Sequence, residues 1–177
     1  MYKDILLGLM MLAYIVPILY IYVTYSQDKS VSGVIGNEKC NIIILISMLV
    51  MGYFTILYEI ERDVNNSISF ICMALLLIGI YGVICIDEYN DMHYVFAFLV
   101  FVSILGFMAY HSYLNTCSNL NLLLCIQIIL LVSTIVNMHD DFFYIEALFI
   151  LNFAVFYLYL HYKMRGKNLI GKSNEGI

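Results

Sequence analysis

Six long apolar runs decide most of what this chain can become. They cover residues 5–25, 41–60, 68–86, 92–113, 120–138 and 142–162, and Glu59 and Glu146 are the only acids inside them. A helix needs about 20 mostly apolar residues to cross the roughly 30 Å hydrocarbon layer of a bilayer, and each run is of that length. Barrel strands of about 9–11 residues would be far shorter and would alternate in polarity, which these runs do not. The expected fold is all-α: one polytopic transmembrane bundle of six helices over residues 1–177, with both termini cytoplasmic and 163–177 a short basic tail. The first run, long and without a clear small-residue cleavage site after it, reads as a retained signal anchor.

The totals agree. Hydrophobic residues make up 63% of the 177 and charged residues 12%, against roughly 45–50% and 25% in soluble domains, too few charges to keep a globule in water. A net charge of −5 lacks the basic footprint that nucleic-acid binding requires, so no nucleic-acid partner is expected. Sixteen Tyr and eleven Phe with no Trp suit helices that end among lipid headgroups.

Orientation follows from the basic residues, which concentrate on the cytoplasmic side of short loops. The side carrying both termini holds Lys3, Arg62, Lys163, Arg165, Lys167 and Lys172; the other side holds Lys29 and Lys39. The connections 26–40, 87–91 and 139–141 are therefore expected to be lumenal or extracellular. Asn65-Asn66-Ser67 matches a glycosylation sequon but falls on the cytoplasmic side, where it stays unmodified. The run from Lys163 to Lys167 reads as a stop-transfer flank with a weak attraction for anionic lipid.

Polar groups inside the spans carry the most information, because each is costly in hydrocarbon unless paired. A hairpin turning near residue 140 sets Gln127 level with Asn152 and Thr134 level with Glu146. Gln127 and Thr134 are seven apart and share a helix face. The expected result is a polar seam, Gln127–Asn152 and Thr134–Glu146, joining spans five and six. Glu59 and Arg62, three apart at the end of span two, read as an ion pair snorkelling at the cytoplasmic edge. Gly79 and Gly82 in span three read as tight packing within the chain. Pro17 interrupts span one, with neighbours expected to repair the freed carbonyl.

Two short turns gather most of the remaining chemistry. Asp87, Glu88, Asp91 and His93 surround one; His139, Asp140 and Asp141 form the other, with Glu146 a turn inside. Three readings of this acidic mouth stay open. It is a solvated loop pair, a vestibule that concentrates cations or senses pH through His93, or a metal site without a dedicated ligand spacing. Cys40 and Cys85 lie near the lumenal ends of their spans and could bridge in an oxidising compartment. Cys72, Cys117 and Cys125 read as small buried residues. No zinc pattern, nucleophile–base constellation or phosphate-cradling glycine loop is present, so neither a cofactor nor catalysis is expected.

The segment SGVIGNEKCN before span two, LYEIER at its end, and Gly79–Gly82 followed by an acidic turn, His93 and Ala97 resemble the DRAM/Frag/Sfk family of six-span membrane proteins over residues 33–113. That resemblance implies cytoplasmic termini and residence in endomembranes, the lysosome or the plasma membrane. It also implies a modulatory role through lipids or partner membrane proteins, of the kind linked to autophagy, lipid and GPI-anchor handling or lipid-kinase scaffolding. Gly36, Glu38 and His93 are the positions it carries over. The leading expectation is thus a non-enzymatic, DRAM-like modulator. The alternative is a small proton or cation channel or transporter with an acidic lumenal mouth, which would need a continuous polar route past His93 and Glu146.

Overall fold

The computed structural model describes residues 2–25, 30–37, 42–63, 66–136 and 142–174. Among these the chain forms seven helices: α1 (Tyr2–Thr24), α2 (Val31–Asn37), α3 (Ile42–Asp63), α4 (Ser67–Cys85), α5 (Asp91–Asn115), α6 (Ser118–Val136) and α7 (Phe142–Asn174). Six of them, all but α2, are long and apolar enough to cross a membrane. The molecule is a multi-pass integral membrane protein. Glu38, Cys40, His139, Asp140 and Asp141 lie outside the described residues, and with them the second acidic turn and the Cys40–Cys85 pairing.

The spans form a closed ring in which α1 packs on α3 and α7, α3 on α4, α4 on α5, α5 on α6 and α6 on α7. Lipid, not water, is the solvent for most of the outside. Leu12, Val16 and Leu19 of α1 are 58%, 50% and 55% exposed, which in water would be a large unpartnered apolar surface. Inside, Met10, Phe107, Phe149, Phe153, Phe156 and Leu160 have no exposed surface at all.

α2 was not expected. Its residues fall in what the charge count treats as the loop 26–40, yet Val31, Val34 and Ile35 repeat at helical spacing and are buried. The segment folds back and packs on α4, α7 and α1 at the end of the bundle that carries the acidic α4–α5 turn. This will be called the acidic end, and the opposite one the basic end. α7 also departs from expectation, since residues 163–174, read as a tail, continue the helix. α1 runs unbroken through Pro17.

The α4–α5 hairpin is held by glycine. A Cβ added to Gly79 would lie 3.0 Å from Val100 N and 3.1 Å from Phe96 O, and one on Gly82 would lie 2.1 Å from Phe96 Cγ. A hydrogen in place of a side chain lets the two backbones approach closely at Gly79 and admits the Phe96 ring at Gly82. Asn66 and Asn90 cap α4 and α5, accepting from Ser69 N at 3.1 Å and Met92 N at 3.0 Å. Asn66, the middle residue of the sequon, is therefore a helix cap.

At the basic end, Thr116 turns the chain with φ 39° and Cys117 follows it. Lys163 beside Cys117 pulls its thiol down to about 7, assisted by the Asn119 and Leu120 amides and the Tyr159 hydroxyl and opposed by partial burial. A value near 7 leaves a substantial share of the thiol as thiolate at neutral pH. The alkylation rate of Cys117 by iodoacetamide is expected to rise through a midpoint near pH 7, and Lys163→Met moves that midpoint upward. Rates that follow one curve in both proteins would show that Lys163 has no influence.

Candidate functional site

Among the described residues, buried polar side chains that bond between helices gather in three places, and helical periodicity explains the first. On α3, Thr55, Tyr58, Glu59 and Arg62 stand at i, i+3, i+4 and i+7, one face of the helix, and that face turns inward. Glu59 has no exposed surface and Arg62 only 5%, so the pair does not snorkel. Their contact is two-pronged: Arg62 Nη2 to Glu59 Oε2 at 2.7 Å and Nε to Oε1 at 3.1 Å. Such forked geometry is the strongest a carboxylate can receive from one side chain.

Around the pair the neighbouring helices supply the rest. Tyr157 of α7 donates to Glu59 Oε1. Arg62 Nη2 also reaches Ser69 Oγ of α4 at 3.1 Å and His111 Nε2 of α5 at 3.0 Å. The guanidinium lies 5.5 Å from the Phe107 ring centre, a cation–π distance. Close by, Tyr58 bonds His161 Nδ1 at 2.8 Å, and His161 Nε2 contacts Asp4 of α1 at 3.1 Å. Five helices are thus tied at the basic end. The sequence carried the signal as a helical repeat of polar residues, obscured because it sits at the end of a span.

The second place is the α6–α7 contact. Asn152 Nδ2 donates to Gln127 Oε1 and to Leu123 O (2.9 Å), while Gln127 Nε2 donates to Phe149 O at 3.1 Å. The other half of the expected seam does not form. Thr134 donates to Leu130 O of its own helix at 2.9 Å, and Glu146 turns elsewhere. Equal depth placed Gln127 beside Asn152, but depth says nothing about which way a side chain faces.

Glu146 belongs to the third place, at the acidic end. Its two oxygens accept from Ser32 N at 2.9 Å and Ser32 Oγ at 2.8 Å. Both amide and hydroxyl come from the start of α2, where main-chain N–H groups have no helical partner. On the opposite side of α2, Asn37 donates to Glu88. Gly33 and Gly36 bring the same helix against the α4–α5 turn: an added Cβ would lie 2.9 Å from Glu88 Oε2 and 2.8 Å from His93 Cε1 respectively.

This arrangement corrects the picture of an open acidic mouth around His93. Asp91 is exposed and Asp87 half-buried, but His93 is only 2% exposed and its Nδ1 bonds Ile86 O at 3.0 Å. The reason is the glycine at position 36, which lets α2 cover the ring. Of the family-like positions, Gly36 and His93 are in contact; Glu38 lies outside the described residues. No group of three or more His, Cys, Asp or Glu residues suited to a metal ion occurs among the described residues.

Beneath α2 lies a cavity of about 90 Å³. Its wall comes from α1, α2, α3, α4, α5 and α7, with Pro17, Ile35, Met51, Leu76, Ala97 and Phe149 among the lining residues. Three polar residues also touch it: Tyr14, Ser32 and Glu146. All three are occupied, Ser32 with Glu146 as above and Tyr14 with Thr55 Oγ1 at 3.2 Å. Towards the basic end the floor is aromatic. Phe149 packs edge-on to Phe101 (4.6 Å between centres), Phe153 on Tyr157 (5.1 Å), and Tyr157 stacks on Phe107 (4.9 Å, 16°). This column runs along the bundle between Glu146 and Glu59, with the Tyr14–Thr55 hydroxyl pair packed beside Phe153.

Comparison with protein-family profiles, curated proteins and solved structures finds no match, so the DRAM/Frag/Sfk resemblance rests on the sequence segments alone.

Proposed function

We propose that this protein is a non-catalytic membrane protein that holds the hydrocarbon part of a membrane lipid beneath α2, and acts through that lipid or through partner membrane proteins. The observation that carries the reading is the apolar cavity whose bordering polar groups already satisfy one another. Native interiors seldom leave a void much larger than a water molecule. An apolar pocket of this size left without contents forfeits dispersion contacts along its wall. Water gains nothing there, since a buried water needs two to four polar partners. Methylene groups fit the chemistry of the wall. An apolar cavity of about 150 Å³ holds benzene, so this one suits a short stretch of acyl chain rather than a whole lipid.

Support over a proton or cation path comes from the aromatic column. An ion passing between Glu146 and Glu59 would meet Phe149, Phe153 and Phe107, all without exposed surface, and beside them only the Tyr14 and Thr55 hydroxyls, which bond each other. Each step would need a hydration shell that those rings do not offer.

The test is lipid retention. Protein purified in a mild detergent is expected to keep bound lipid through exhaustive washing, and Ala97→Phe, which fills the cavity from α5, is expected to lose at least most of it while remaining folded. Equal retention by both proteins would remove the cavity from the reading. Reconstitution into liposomes supplies the second arm. Proton or cation flux that disappears in Asp87→Asn/Asp91→Asn/His93→Ala would overturn the proposal in favour of transport.

A further inference from the structure

Among the described residues, two buried side-chain polar atoms have no hydrogen-bond partner: His93 Nε2 and Ser112 Oγ. They sit on the same helix, 19 positions and so about 28 Å apart. Only His93 is near the cavity. On α5 the lining residues are Ala97, Val100, Phe101 and Ile104, and His93 precedes Ala97 by one turn on that same stripe. On α2, Gly36, which touches the His93 ring, directly follows the lining residue Ile35. His93 is not itself a lining residue; it lies one turn beyond Ala97, towards the acidic end, on the α5 stripe that lines the cavity.

Its protonation pattern is set by geometry. A carbonyl oxygen cannot donate, so the Nδ1 contact with Ile86 O at 3.0 Å places the hydrogen on Nδ1. In the neutral ring Nε2 is then a bare acceptor, and a buried acceptor without a donor is costly. The other polar groups bordering the cavity offer nothing to a ligand, because Glu146, Ser32 and Tyr14 are mutually or internally bonded.

We propose that His93 Nε2 is the polar anchor of the cavity, and that its ligand is a neutral hydroxyl-bearing lipid of the long-chain alcohol class, whose O–H donates to this nitrogen while the adjoining stretch of its chain enters the cavity. This deepens the lipid-holding reading and rests on it. A charged headgroup is disfavoured: Glu146 is already bonded, and the ring is 2% exposed.

The experiment uses the full chain in nanodiscs of saturated phosphatidylcholine, with its histidines labelled with ¹⁵N. Decanol, decyl methyl ether and n-decane are titrated in turn, and His93→Phe identifies the His93 signals. Decanol is expected to move the Nε2 resonance towards the hydrogen-bonded position and to bind at least about fivefold more tightly than the ether, the worth of one ordinary hydrogen bond. His93→Phe abolishes that preference and leaves decane binding in place. His93→Gln, which keeps an acceptor, retains part of it and serves as the test if the phenylalanine variant does not fold. Equal binding of alcohol and ether, or a preference that survives loss of the imidazole, overturns the anchor while leaving the cavity reading intact; a water on Nε2 would give that result. Failure of all three ligands to bind overturns both.

Discussion

Arg62→Met is expected to destabilise the folded bundle by about 3–5 kcal/mol, the usual cost of removing one partner from a buried ion pair. Glu59 has no exposed surface, and without the guanidinium it keeps the hydrogen bond from the Tyr157 hydroxyl. One hydroxyl cannot replace a bidentate cation for a carboxylate held away from water. Glu59→Gln should cost less than Arg62→Met, because the long arginine side chain still reaches Ser69 and His111. The double variant Glu59→Gln/Arg62→Met should be milder than Arg62→Met alone, since no unpaired charge is left behind. Reversible unfolding in mixed micelles measures all three. An Arg62→Met variant no less stable than the double variant would show that the pair is not functioning as a buried couple. The same comparison separates structure from transport: a pair that only fastens helices changes stability and leaves lipid retention unaltered in the folded fraction.

That network also shows where a sequence stops being readable. The six spans were legible because hydrocarbon thickness and backbone hydrogen bonding leave few alternatives, and their ends fall within a few residues of the observed helix ends except for α7, which runs on to Asn174. The inward turn of Glu59 and Arg62 was present as a seven-residue polar repeat, but snorkelling gives the same spacing at a helix end. Which of the two occurs depends on His111 and Tyr157, 49 and 95 positions away from Arg62 along the chain. Hairpin arithmetic placed Gln127 beside Asn152 because both face the shared α6–α7 contact. It failed for Glu146, which a helix hidden in a supposed loop had already engaged. α2 is short and contains Gly33 and Gly36, residues that usually argue against a helix. Those glycines are there because Glu88 and His93 lie against them, a tertiary fact with no local signature. The acidic turn raised a question of ion chemistry; the buried histidine behind it, bare at one nitrogen, is the part that only coordinates reveal.

The second large effect concerns the α4–α5 hairpin. In an open helix, replacing glycine with alanine gains about 1 kcal/mol of helix propensity. At Gly79 and Gly82 the sign is expected to reverse, with losses of about 1–3 kcal/mol from overpacking and more for leucine. The two sites should differ in how they can be rescued. The Cβ added at Gly82 meets the Phe96 ring, 2.1 Å from its Cγ and 2.2 Å from Cδ1, so Gly82→Ala/Phe96→Ala should recover much of the loss attributable to the clash. The Cβ added at Gly79 meets the Val100 side chain at 2.8 Å but also main chain, Val100 N at 3.0 Å and Phe96 O at 3.1 Å, so trimming Val100 to alanine should recover only part of the loss. If both double variants recover equally, the limiting contact at Gly79 is a side chain and the backbones are not in close apposition. Separation of these helices has a functional consequence as well, because Ile80 and Val83 of α4 and Ala97 and Val100 of α5 line the cavity from the two sides of that contact. Gly79→Ala should therefore weaken lipid retention in protein that is still folded, and Gly82→Ala should do so until Phe96 is shortened. Retention that tracks helix separation in this way would link the glycines, through the hairpin, to what the cavity holds.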